Sequence, residues 1–294
     1  MLRSCLDFVS ILSRFSDKTR RDLEKSWSAV QLYVPGSNFL THCDGYDKLK
    51  PFGFFIHAGM DGWSRKIYWL KLANTNKDPK IIAHYYLESI LKYQKLSTLV
   101  RTDKGTENSE IESLHISLRT DHTDRFSGSN SFIKGKSTSN QRIESFWGQL
   151  RKHSMDHFIQ FFKCMRDENV FNDADPVDVL CLRYCFGPLI SYTLDLTRKE
   201  WNSHRIRKQN SKTTVPGKPN CLYYLPEKYG AKDCSKSLNK EAMEMLLKEF
   251  PKPVIYDPEF DDIVKELIPD VKISTTTDGA LKLYVKIREL LKEY

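Results

Sequence analysis

Apolar positions along the chain change their spacing several times, and each change marks an element. Leu6, Val9, Leu12 and Phe15 recur at helical intervals, and Leu23, Trp27 and Val30 resume the pattern after a polar break. Residues 1–34 are therefore expected to be helical, ending at the turn signal Pro35-Gly36-Ser37-Asn38. Two short apolar runs follow, Phe52–His57 (FGFFIH) and Lys66–Leu72 (KIYWLKL). They read as antiparallel strands joined around Asp61-Gly62-Trp63-Ser64. Helical spacing returns from Pro79 to Leu96, carried by Ile82, Tyr85, Tyr86, Ile90 and Tyr93, with Asp78 as the cap. Ser97–Thr102 (STLVRT) reads as a buried strand ending at Asp103. Thr106–Leu118 reads as a helix, Thr120–Ser139 as a long polar loop, and Asn140–His157 as a helix that Gln160–Glu168 continues. Val177–His204 is another helical zone, with a break or kink expected at Gly187-Pro188. Arg205–Asn220 is a basic linker, after which helices are expected near 236–250, 258–268 and 278–293.

Hairpin-linked strands followed by β–α alternation imply an α/β fold, a mixed sheet with helices on its faces. The pattern divides the chain into a helical N-terminal segment (1–34), a core (35–230) and a helical tail (231–294).

Composition narrows the class. With 40% apolar and 29% charged residues among 294, the chain can build a core, and disorder as the dominant state is excluded. No apolar run approaches the roughly 20 residues of a membrane span. Asp7 interrupts the first apolar run and no small-residue cleavage site follows, so this stretch reads as an amphipathic helix rather than a signal peptide. Seven scattered Cys without a C-x-x-C pair imply a reducing compartment. The net charge of +8 is uneven: residues 51–100 carry +4 and 201–250 carry +5. Between Arg205 and Lys218 five basic residues occur without an acid. That fits a polyanion partner, and equally a solvated basic surface.

Three acids sit where chemistry would use them. Asp44 precedes the strand FGFFIH, Asp103 ends the strand STLVRT, and Glu144 lies on the helix after the polar loop. A buried, unpaired carboxylate costs several kcal/mol, so such a residue is paired, protonated or metal-bound. Convergent carboxylates repel, and a hard divalent cation relieves the repulsion. Glu144, Trp147 and Arg151 share a helix face, which suits either a nucleic-acid channel or a core Trp beside an exposed ion pair.

At these residues the chain resembles the integrase core family of ribonuclease-H-like polynucleotidyl transferases, in its eukaryotic transposon-derived form. The landmarks come in order: D-G-Y-D-K-L-K-P-F-G at Asp44–Gly53, I-H-A-G-M-D-G-W-S-R at Ile56–Arg65 and R-T-D-K-G-T-E-N at Arg101–Asn108. They close with S-N-Q-R-I-E-S-F-W at Ser139–Trp147 and W-N-S-H-R-I-R at Trp201–Arg207. The resemblance spans roughly residues 33–230. It implies a ribonuclease-H-like sheet with an Asp–Asp–Glu triad at Asp44, Asp103 and Glu144, and places Asp44 on the first strand. Asp47 and Asp61 compete for the first position, and Asp44 is preferred. The triad would hold two Mg²⁺ or Mn²⁺ ions and cut and join DNA phosphodiesters. Its carboxylates are expected to cluster around one metal-sized space. Lys104, Asn108, Asn140, Gln141, Arg142, Trp147 and Arg151 would contact DNA. A nuclear location and a homo-oligomer follow by analogy, with no membrane and no small-molecule substrate.

The sequence also departs from that pattern. No His-His-Cys-Cys zinc module precedes these motifs, and the tail has no counterpart among the family's accessory modules. His153/His157 and Cys181/Cys185 have helical spacing, which a zinc site could use, though surface imidazoles and buried thiols are the ordinary reading. A host-adopted DNA-binding protein without strand transfer is the alternative function, and a protein-interaction role is a third.

Overall fold

A computed structural model of the chain describes residues 34–73, 75, 78–135, 140–208 and 215–293. The expected N-terminal helices, residues 136–139 of the polar loop and residues 209–214 of the basic linker lie outside the described residues. Residues 35–294 cluster as one compact unit, so the tail shares a unit with the core.

Five strands make one sheet in the order β3-β2-β1-β4-β5. They are β1 (Leu40–Tyr46), β2 (Phe55–Asp61), β3 (Ile67–Ala73), β4 (Leu99–Thr102) and β5 (Phe132–Lys134). β1, β2 and β3 pair antiparallel, whereas β4 and β5 join parallel to β1. The mixed sheet expected from the hydrophobic pattern is present. Two of its strands were not legible in that pattern. β1 (LTHCDGY) mixes polar and apolar residues, yet six of its seven are buried, because both faces are covered. β5 is a three-residue edge strand inside the expected loop.

Helices cover both faces. α1 (Pro79–Tyr93) and α2 (Ser109–Leu118) pack on one side with Cys43, Trp69 and Val100. On the other side α3 (Gln141–Leu150), α4 (Asp156–Asp167) and α5 (Pro176–Ser203) pack against Ile56, Ala58, Met60 and Leu70. Asp78 and Asp175 each cap a following Pro-initiated helix, accepting from the backbone N–H of Lys80 and Val177 at 2.9 Å.

α3 and α4 form one helix through a π-helical turn, Arg151–Met155. Its buried stripe runs Ile143, Phe146, Trp147, Leu150, then Met155, Phe158, Phe162 and Met165. The five-residue step from Leu150 to Met155 is what the wider turn accommodates, keeping both halves facing the sheet. α5 runs through Pro188 without a break, so of the break or kink expected at Gly187-Pro188 the break does not occur. It is also long and apolar enough by length and composition to cross a bilayer, but Leu182, Phe186, Ile190 and Leu194 are buried in the core.

The tail helices are α7 (Lys240–Lys248), α8 (Pro258–Leu267) and α9 (Thr277–Glu293), following the short α6 (Pro219–Tyr224). They pack directly on the core. Phe260, Val264, Tyr284 and Ile287 join the cluster around Phe162 and Phe186. Arg288 pairs with the buried Asp178 and donates to the Val170 carbonyl at 2.8 Å. Met243 of α7 joins the α1 side. A Cβ on Gly36 would lie 1.8 Å from the Lys232 carbonyl oxygen, so only glycine lets the tail cross here.

Candidate active site

The three predicted acids are brought to one end of the β1–β4 pair. The parallel register aligns His42 with Arg101. Continued two residues, that register sets Asp44 level with Asp103, on strands about 4.8 Å apart. Side chains alternate along a strand, so His42 and Asp44 share the face on which α3 packs. α3 supplies Glu144 from its first turn.

Asp44 is buried at 6% exposure and accepts a hydrogen bond from Trp147 Nε1 at 2.8 Å. Burial pushes its carboxyl up to about 7, the indole donor opposes this, and the like charges of Glu144 and Asp103 add to it. Asp103 is half-buried. Its Oδ1 accepts from the Gly105 backbone at 3.0 Å and from Asn108 Nδ2 at 3.1 Å. Glu144 is exposed. The acids thus act on one another electrostatically. Among the described residues, however, no three His, Cys, Asp or Glu side chains stand close enough together to hold one ion. The metal-sized cluster expected from the sequence is therefore not assembled among the described residues; the like charges of the three acids oppose a closer approach without a cation between them.

The competing acids have other work. Asp61 is fully buried and accepts from the backbone N–H of Asn38 (2.8 Å) and Ser64 (2.7 Å), from Ser64 Oγ (2.7 Å) and from the Tyr68 hydroxyl (3.1 Å). It builds the β2–β3 turn. Asp47 lies on the exposed 3-10 turn after β1 and pairs with Lys50 at 3.7 Å.

The seven residues expected to meet DNA divide into two groups. Lys104, Gln141 and Arg151 are exposed, and Arg142 is half-buried. Arg151 pairs with Asp156 at 3.4 Å across the π turn. Asn108, Asn140 and Trp147 are buried and engaged within the protein. Asn140 hydrogen-bonds His42 and donates to the Cys43 carbonyl at 3.2 Å. Trp147 faces inward with Phe146 and Leu150, away from the channel-lining face proposed for it. The correction has a simple cause: polar groups at packed helix and strand ends find partners inside the fold.

Two histidines were missed by the sequence reading. His42 is buried and pushed down to about 3, chiefly by burial, with Asn140 as its partner. His57 is buried, pushed down to about 4 by burial, and accepts from Trp69 Nε1 at 3.1 Å. The available signal was position: His42 stands two residues before Asp44 on one strand face. The zinc alternative is not met. His157 contacts Thr277, His153 contacts Gln149, and Cys181 and Cys185 are buried in the apolar core.

A sheet of two antiparallel pairings continued by two parallel strands, with acids at the β1–β4 end and on the following helix, defines a ribonuclease-H-like α/β protein. The sequence profile of the integrase core domain matches residues 32–222, about two-thirds of the chain, and the protein belongs to that family. No curated protein matches the chain.

Proposed function

We propose that the protein is a divalent-metal-dependent DNA polynucleotidyl transferase with Asp44, Asp103 and Glu144 as its ligand triad. The observation that carries this reading is the state of Asp44: buried, raised to about 7, and facing two more carboxylates. Hard oxygen donors whose charges repel are the donor set that a divalent cation suits. Asp44 and Asp103 would hold the ions from the sheet, and the exposed Glu144 would close onto them from α3. Bound Mg²⁺ or Mn²⁺, two per site, would supply charge neutralisation at the attacking and leaving phosphodiester oxygens. The protein's part is to position the three carboxylates and to bring the strand to them, with Lys104, Gln141, Arg142 and Arg151 on the approach. A DNA substrate places the protein in the nucleus, and joining two DNA ends calls for two active sites and hence an oligomer.

The test is nicking or joining of a DNA oligonucleotide with and without Mg²⁺ or Mn²⁺, beside Asp103→Asn and Glu144→Gln. A metal-dependent product that both variants lose is expected. Absence of any such product from the wild-type chain overturns the enzyme reading. DNA binding that then persists without metal fits a host-adopted DNA-binding protein.

A further inference from the structure

Asp44 and Asp103 each accept from uncharged donors, and an indole takes part in each arrangement. For Asp44 the indole acts directly, Trp147 Nε1 to Oδ2 at 2.8 Å. For Asp103 it acts at a distance. Trp69 Nε1 donates to His57 Nδ1 at 3.1 Å, with the two rings stacked at 5.9 Å and 11°. A nitrogen that accepts is unprotonated, so the single proton of the neutral imidazole sits on Nε2. His57 Nε2 and Asn108 Oδ1 are both buried without a short hydrogen bond, yet the Asn108 side chain engages His57 favourably. Asn108 is thus a neighbour of His57, and neither of these two atoms is taken by another hydrogen-bond partner. With its oxygen toward His57, the Asn108 amide must point its N–H₂ the other way, where Nδ2 reaches Asp103 Oδ1 at 3.1 Å. The Asn108 amide is therefore turned with its N–H₂ toward Asp103 and Glu107 Oε1 (3.4 Å), which leaves its oxygen for the His57 proton.

A cation in either place would fix the carboxylate equally well but would neutralise it and compete with an ion. Neutral N–H donors fix one oxygen and leave the charge in place. Gly59 is part of the arrangement: a Cβ there would lie 2.0 Å from the Trp69 ring, so glycine permits the Trp69–His57 stack.

We propose that Trp147, and His57 acting through Asn108, are positioning residues that aim Asp44 and Asp103 for a divalent ion without discharging them. This rests on the reading of the triad as ion ligands. It goes beyond that reading by assigning a role to buried residues that touch neither ion nor DNA.

The experiment titrates Mn²⁺ alone into the full chain by calorimetry. Wild type is compared with Trp147→Phe and His57→Phe, and with Asp103→Asn as the control for the site. Melting without metal checks that each variant folds. Each positioning variant is expected to bind Mn²⁺ about tenfold more weakly, as is usual for groups that orient ligands. The double variant should lose about a hundredfold, because the two residues serve different acids. If His57→Phe does not fold, Trp69→Phe keeps an aromatic ring, though a smaller one, and removes the N–H at the head of the relay; a loss of about threefold is then expected in the folded variant. Wild-type Mn²⁺ affinity in the folded variants overturns the proposal and leaves the functional reading standing. Failure of the wild-type chain to bind Mn²⁺ in an Asp103-dependent way overturns that reading and this proposal together.

Discussion

Two buried aspartates on neighbouring strands make an instructive pair. Asp61 and Asp44 both lose their water, and burial raises both carboxyls. Asp61 is surrounded by four donors, and the charges it acts on are the cations of Arg142 and Lys66. Asp44 has the Trp147 indole and the Gly45 backbone as donors, and its charged neighbours are Glu144 and Asp103. Burial alone therefore does not mark a reactive carboxylate. The sign of the charges around it does: Asp61 is the keystone of a turn, while Asp44 is kept short of compensation.

The comparison can be broken in several ways. The largest effect should come from Asp103→Asn or Glu144→Gln, which should lower metal-dependent DNA cleavage by at least about a hundredfold in a gel assay, since electrostatic groups of this kind are worth that much or more. Asp61→Ala should leave the Ser64 and Asn38 donors unpaired and cost about 3 kcal/mol in denaturant unfolding. Equal losses of activity and stability for both aspartates would erase the distinction drawn here.

Asp44→Asn should act in the opposite direction on stability. Its folded carboxyl sits near 7 and its unfolded one near the ordinary 3.8. Between these values the folded state binds the extra proton, so stability falls as pH rises from about 4 to about 7 and stays low above that. Removing the charge should therefore stabilise the metal-free protein by up to about 4 kcal/mol at pH 8 and by nothing at pH 3, seen as melting temperatures. Smallest of all, Lys104→Ala should weaken DNA binding only a fewfold and reduce the slope of affinity against salt by about one contact.

Much of this contrast was legible beforehand. Helical repeats placed α1, α5 and the tail helices to within a few residues, because amphipathic stripes survive in a single sequence. Asp103 stood out as the polar end of an apolar run. β1 did not, since a strand covered on both faces and carrying a His, a Cys and an Asp has no alternation to read. Its assignment came from the family motif. The burial of Asn140 was hidden and that of Trp147 was one of two open readings, because helix spacing alone does not say which face of α3 meets the sheet. The π turn escaped for a related reason: one residue added to a helix leaves composition unchanged and alters only phase.

The close packing of the tail bears on how the protein should be handled. A fragment ending at residue 222, where the family match stops, would remove Phe260, Val264, Tyr284 and Ile287. It would bare the apolar wall they cover and strand Asp178 without Arg288. Such a truncated recombinant product should stick to itself, whereas a chain carried through residue 293 keeps that wall dry.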